Sequence, residues 1–524
     1  MEEADNENAS PRQQKTTTFM VLFSFYIALS GWIYNFDLTF GGFVLIVESY
    51  IRDFGTCVTR PDAAGVVTQH CTLSALQQSL ISLTYIFVGV GAALAGVTGN
   101  YLGRRGTIQV GCLIVAIGAG GMLGSAGNYP AYIACKCIGG VGLGHFIAAA
   151  PTYGVESTAA NKRGILTSLF NVGLGTGACV GVAVCWSTSN YPNSLAWQIP
   201  IICQLPLSLI LGVGVLMFPE SPRWLLLKGK EEAARKSFAR FSNLDPDSPE
   251  VTLQIQEVQH YIELEKATGK ATSWTDIFCG TDRRRMLTAL LVVIGQAISG
   301  GKFISTYLSV FFSGVGIGNT FLILLIGTLC ALAGGIMAPW ILEYGGRRFS
   351  LLVGYTTMGL TMLIISAVAT GLGPTSHTAK KVLVVLLCFW QVFYGAFVVP
   401  GVAVTAPEMH SIRLRTYGTA FVAMCYEIFS FAAAFYTPYM LNAQYGNMGL
   451  NVGYFYFGIS AIILVLVFFF VPETARLTLE QIDDHFLSKQ KAWKTSTTHN
   501  KRIAKGLVVG NTSKMDNPDK IDNL

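Results

Sequence analysis

NYLGRR (100–105) and EYGGRR (343–348) are two versions of one short loop, set 243 residues apart, and each places two arginines where an apolar run ends. Two further matches follow in the same order. Glu156 stands seven residues before Arg163 and Glu408 seven before Arg415, an offset of 252, while FPES (218–221) and VPET (471–474) are offset by 253. Three matches in one order at nearly one offset mark two homologous halves.

The apolar runs around these loops define the class. The 524 residues are 52% hydrophobic and 13% charged, and soluble domains carry about twice that charged fraction. Runs long enough to cross ~30 Å of hydrocarbon fall near 18–41, 76–98, 107–126, 130–152, 165–188 and 198–218, and again near 286–312, 320–343, 349–371, 382–406, 417–441 and 452–472. The expectation is an all-α membrane protein of twelve transmembrane helices in two pseudo-symmetric six-helix halves, 18–218 and 286–472. Tails 1–17 and 473–524 flank them. Between the halves, 219–285 contains KGKEEAARKSFARF and EVTLQIQEVQHYIELEKA, whose apolar residues recur at helical spacing; short amphipathic helices on a water-facing surface are expected. A parallel repeat of this kind is typical of alternating-access carriers, with the binding site between the halves near mid-membrane.

Lysine and arginine near span ends are retained on the cytoplasmic side. Arg104 and Arg105, Lys162 and Arg163, Arg283 to Arg285, Arg347 and Arg348, and Arg413 and Arg415 occupy alternate loops, whereas Arg52, Arg60, Lys380 and Lys381 are the main cations opposite. Both termini are therefore expected in the cytoplasm. The start, MEEADNENASPRQQKTTT, is polar and acidic, unlike a cleaved signal peptide. The same loop asymmetry accounts for the net charge of +6, and without interleaved basic and aromatic clusters nucleic acid is not an expected partner. Most of the twelve cysteines fall within spans, where a thiol behaves as a small hydrophobe. Cys57 and Cys71 share an outer loop, leaving one extracellular disulfide or two free thiols as the alternatives. No CxxC pair or His/Cys cluster suggests a metal, no cofactor loop is visible, and no obligate protein partner is predicted.

GNYLGRRG, PESPRWLLLKGK, EYGGRR, PEMHSIRLRTYG and PETARLTLEQID, in this order and loop placement, resemble the sugar porter family of the major facilitator superfamily from about residue 20 to 485. PESPRW and the PET…LTLEQID pattern are the specific parts; spacing and tail lengths resemble a fungal member. The resemblance implies a rocking carrier. It places Glu156, Glu220, Glu408 and Glu473 at cytoplasmic span ends near Arg104, Arg105, Arg163, Arg347, Arg348 and Arg415, where salt bridges would latch that face; the alternative is that the arginines are simple positive-inside anchors. Asn100 and Tyr101 stand where the family usually has Asp and Arg, so one latch charge is missing.

Ionisable residues inside spans cost at least ~2.5 kcal/mol at the bilayer centre unless they face a cavity or a partner. Asp37, Lys136, His145, Lys302 and Glu427 are the five. At ~1.5 Å per residue, Asp37 and Lys136 lie about 6–9 Å inside the outer ends of spans one and four, at depths that allow them to pair. In the resemblance, Asp37 occupies the position of the aspartate of proton-coupled members and Lys136 replaces its arginine partner. A proton-coupling pair and a static salt bridge are the two readings. His145 reads as a helix-packing histidine rather than a relay.

The solute contacts depart most from the family. Matching GQAISGGKFISTY (295–307) to the span-seven motif keeps one glutamine as Gln296, turns the other into Ala297, and puts Lys302 where an asparagine binds a hydroxyl. Asn171 replaces a glutamine, Pro400 is kept, Ala403 replaces a tryptophan, and Tyr426 and Glu427 stand where a polar residue and another tryptophan are expected. The implied solute contacts are Asn171, Gln296, Lys302, Tyr426 and Glu427. Lys302 either binds an acceptor on the solute, such as a carboxylate, or pairs with Glu427. The expected function is proton-coupled uptake of a sugar or related polyhydroxylated solute at the plasma membrane; the alternatives are a carrier, in either direction, for an acidic or other non-hexose metabolite, and a non-transporting sugar sensor. No catalytic constellation is visible.

Overall fold

The computed structural model describes residues 17–500 except 62–66, 159–162, 270–273, 316–318, 374–375, 412–413, 478, 489–490 and 499. Lys162, Arg413 and the side chain of Arg163 lie outside the described residues. Among the described residues, eleven helical stretches are long and apolar enough to cross a membrane. One, Ala75–Leu123, has 49 residues, about 74 Å of helix at 1.5 Å per residue, about two and a half times the hydrocarbon thickness. Its backbone breaks at Gly103, where φ is 79°. That break separates two crossings, so the described residues hold twelve spans, six in each half.

The first half comprises α1 (Thr18–Phe43), α2 (Glu48–Phe54), strands β1 (Thr56–Pro61) and β2 (Val67–Thr72), α3 (Ala75–Leu80), α4 (Leu83–Leu123), α5 (Tyr129–Glu156), α6 (Arg163–Thr188) and α7 (Leu195–Gly214). The antiparallel hairpin is not legible in the sequence; it sets Cys57 opposite Cys71, and the two are disulfide-bonded. This end is called the hairpin face below, and the end carrying Arg104 and Arg347 the arginine face. The segment between the halves forms α8 (Pro222–Leu227), α9 (Glu231–Ser242) and α10 (Pro249–Gly269). In α9 the acidic residues Glu231 and Glu232 occupy the first turn and Arg240 the last, complementing the helix dipole.

The second half comprises α11 (Gly280–Gln296), α12 (Leu308–Val315), α13 (Thr320–Tyr344), α14 (Arg347–Leu372), α15 (His377–Phe393), α16 (Val399–Glu408), α17 (Arg415–Leu441) and α18 (Val452–Phe470), followed by α19 (Leu479–Leu487). Between α11 and α12 the span widens into two π-helical segments, with Gly300 at φ 101°; a third, Tyr394–Val398, precedes Pro400. Such widenings recur at functional sites.

The hydrogen bonds that tie one half to the other gather toward the hairpin face. Ser79 donates to the Phe435 carbonyl (2.8 Å), Tyr307 to the Gln78 carbonyl (3.0 Å) and Ser309 to the Gly42 carbonyl (3.0 Å). Gly42 lies so close to the Thr306 backbone that a Cβ would stand 2.5 Å from its carbonyl oxygen. At the arginine face, a cleft of about 360 Å³ lies within the first half, between α4, α5 and α8, beside Ala92, Gly96, Arg104, Thr152 and Trp224. The molecule is closed at the hairpin face.

Candidate transport site

The two arginine loops are built alike. Glu156 accepts two bonds from the Arg104 guanidinium, 2.8 and 2.6 Å, and Arg347 donates to Glu408 at 3.0 Å. Ser221 and Thr474 complete the pairs, donating to Glu156 at 2.7 Å and to Glu408 at 2.6 Å. Each ion pair lies within one half. Glu408 thus pairs with Arg347 and not with Arg415, which among the described residues makes no ion pair; it stands beside His410. The seven-residue spacing marks the repeat rather than a contact.

Glu220 and Glu473 act differently from the expected salt-bridge partners. Glu220 accepts from the backbone N–H of Arg104 (2.9 Å) and Arg105 (3.2 Å), and Glu473 from Arg347 (2.9 Å) and Arg348 (3.2 Å). Each carboxylate caps the helix leaving the loop, where unsatisfied N–H groups and the dipole favour an anion. Arg105 and Arg348 donate instead to the Leu216 and Phe468 carbonyls. Ser237 on α9 braces the first cap by donating to the Glu220 carbonyl (2.7 Å), and Asn500 in the tail donates to the Glu473 carbonyl (2.9 Å).

His410, just beyond α16, is buried and its Nε2 has no partner among the described residues. Burial, then Arg415, push its pKa down to about 4, with Asp282 acting upward and Arg285 downward. A depressed histidine keeps its full contribution above the ordinary value of ~6.5 and loses it as pH falls toward 4. The thermal midpoint of the purified protein is therefore expected to drop between those values. His410→Gln should flatten that drop; an unchanged slope would exclude His410 as its source.

Deep in the first half, Lys136 Nζ lies 3.0 Å from Asp37 Oδ2, and Gln204 Nε2 donates to Oδ1 at 2.8 Å. Asp37 is 4% exposed and Lys136 2%. α1, α5 and α7 supply the three side chains, and Phe40 places its ring 5.2 Å from the ammonium. Gln204, a lone amide in the apolar IICQLPLSL, is missed by the sequence reading; its isolation is the available signal. His145 Nδ1 hydrogen-bonds the Val141 carbonyl (2.8 Å), and the side chain packs against Gly111.

At mid-membrane the second half supplies the other charges. Lys302 is half-buried, with Nζ 4.1 Å from the centre of the Tyr85 ring and 5.2 Å from that of Tyr426. Glu427, 8% exposed, lies against Gly89 of the opposite half, and its Oε2 has no hydrogen-bond partner among the described residues. No Lys302–Glu427 ion pair forms within 4.0 Å among the described residues. Gln296 lies beside the Tyr394 hydroxyl, and Asn171 is exposed on α6. Tyr85 is not conspicuous in the sequence, because nothing local shows that it meets a span 217 residues further on (302 − 85).

Two like six-helix halves, closed at one face around buried charges, define a multi-pass membrane carrier. The chain belongs to the sugar (and other) transporter family, whose model matches residues 23–486. It is 27% identical over 510 residues to a low-affinity glucose transporter of Kluyveromyces lactis, covering 95% of this chain and 88% of that one. It is 26% identical over 511 residues to a high glucose sensor of Saccharomyces cerevisiae, covering 96% of this chain and 65% of that one. Among solved structures, the inward-open xylose transporter XylE of E. coli superposes with a TM-score of 0.70 at 19% identity, over 88% of this chain and 99% of that one. The same transporter, described as a proton:xylose symporter and bound to 6-bromo-6-deoxy-D-glucose, gives 0.70 at 19% over 90% and 100%; this likeness is one of fold.

Proposed function

We propose that this protein takes up a sugar or related polyhydroxylated solute together with protons across the plasma membrane, with both termini in the cytoplasm and the hairpin face outside. The observation that carries the coupling is the buried Asp37, held between Lys136 and Gln204. A carboxylate so placed changes its proton affinity with its access to water; all three side chains belong to the first half and keep their separations when the halves rock, so the change comes from water reaching the pair from one face and then the other. Fungal glucose and fructose transporters among the relatives, and the proton:xylose symporter among the folds, support the substrate class and the coupling.

The units that move are 18–218 and 286–472, joined by 219–285. Asn171, Gln296, Tyr426 and Glu427 form the solute contacts, with Lys302 at their edge toward the hairpin face. The unsatisfied Glu427 oxygen accepts solute hydroxyls and repels an acid, which argues for a neutral solute over a carboxylate. Uptake of labelled glucose, xylose, a polyol and quinate tests this in a yeast lacking its own hexose carriers, at two pH values with and without a protonophore. Sugar or polyol uptake that collapses with the protonophore is expected; uptake of quinate alone would replace the reading with an acid carrier.

A further inference from the structure

Lys302 is expected from the sequence to hold a solute carboxylate or to pair with Glu427, and its surroundings show neither contact. Its ammonium lies between two rings contributed by different halves: Tyr85 on the second span and Tyr426 on α17. Tyr85 is itself tied across the halves, its hydroxyl 3.1 Å from that of Thr306. Thr306 in turn sits against Gly42. The remaining groups facing the ammonium are Glu427 and the Tyr34 hydroxyl.

We infer that Lys302 is a clamp between the two halves: its cation–π contact with Tyr85 favours the state closed at the hairpin face and is lost when that face opens, making Lys302 a positioning residue for the conformational step. The reason is geometric. Lys302 and Tyr426 belong to one half and keep their separation when the halves rock, whereas Tyr85 leaves with the other half. A cation without a hydrogen-bonded counter-ion among the described residues, half-buried between rings, gains from their faces, and gains more as water is excluded. The inference goes beyond the proposed solute and does not depend on it.

The test reads conformation directly. Ser79 is fully buried and donates across the halves to the Phe435 carbonyl at the hairpin face, so Ser79→Cys reports opening of that face through its rate of maleimide alkylation, after subtraction of the parent chain's own thiols. Lys302→Met in this background is expected to speed alkylation by roughly 3- to 30-fold, the range that cation–π contacts supply from exposed to desolvated sites. Lys302→Arg should restore the rate, since a guanidinium also stacks on rings. Tyr85→Leu, which leaves the lysine in place but also removes the bond to Thr306, should speed alkylation at least as much, and adding Lys302→Met to it should bring no further change. In transport assays Lys302→Met should lower the maximal rate and leave KM within about twofold. Unchanged alkylation, additive effects of the two substitutions, or a raised KM with normal alkylation would overturn the clamp. Because alkylation needs no transported solute, the clamp and the proposed function can fail separately.

Discussion

Asp37→Asn is expected to abolish uphill accumulation, bringing the internal-to-external solute ratio to unity while downhill exchange continues at a reduced rate. The amide cannot exchange a proton, so whatever gradient the pair harvests is lost outright rather than attenuated. The substitution also leaves Lys136, 2% exposed, without its counter-ion; breaking a buried pair from one side costs about 3–5 kcal/mol. A drop in folded protein would therefore accompany the loss of coupling and must be separated from it. The double variant Asp37→Asn with Lys136→Met removes both charges, and is expected to recover folded protein without recovering accumulation. Lys136→Arg keeps a permanent cation opposite Asp37 and should retain coupling. The measurement is the steady-state ratio of a labelled, non-metabolised sugar, normalised to protein correctly inserted in the membrane. If Asp37→Asn still accumulated solute in a protonophore-sensitive way, the proton site would have to be elsewhere.

How readily Asp37 and Lys136 can be matched from sequence, and Gln204 cannot, follows from what a one-dimensional pattern records. A charged residue in an apolar run is conspicuous, and depth along a helix is arithmetic, so two charges at one depth in neighbouring spans can be paired. An amide carries no charge to balance, and its partner depends on which way α7 faces. The same distinction governs the arginine loops. Arg104 opposite Glu156 is legible as complementary charge at one membrane face. Glu220 and Glu473 look like further partners in that scheme, yet they bind backbone N–H groups, which have no letter in the sequence. The glycines immediately before both arginine pairs or one residue apart from them are the available clue. Lys302 misleads for a related reason: Glu427 is the conspicuous opposite charge, whereas the rings that hold the ammonium are neutral, and one belongs to the other half.

Those glycines carry the second large effect. Gly346 has φ 95° and Gly103 φ 79°, each with an extended ψ, a region essentially reserved for glycine. A Cβ would stand 2.4 Å from Glu473 Oε2 at Gly346 and 2.3 Å from Glu220 Oε2 at Gly103. Gly346→Ala therefore incurs backbone strain of about 1–3 kcal/mol, and it also pushes the capping carboxylate off two N–H groups. Hydrogen bonds to a charged group contribute about 1.5–3 kcal/mol each, and partial retention of one bond leaves a net destabilisation of about 3–5 kcal/mol, enough to collapse the yield of folded protein. Glu473→Gln keeps an acceptor oxygen and the glycine's conformation, so it should cost less, about 1–2 kcal/mol. Gly335, helical and with nothing within 4 Å of a built Cβ, is the control: Gly335→Ala should be neutral or stabilising by up to about 1 kcal/mol. Thermal midpoints in detergent, read beside the monodispersity of the purified protein, decide the matter, and Gly103→Ala should track Gly346→Ala because the two loops share one construction. A Gly346→Ala protein as stable as Gly335→Ala would mean that the helix cap contributes little, and that the arginine–glutamate ion pairs alone hold each loop to the end of its half.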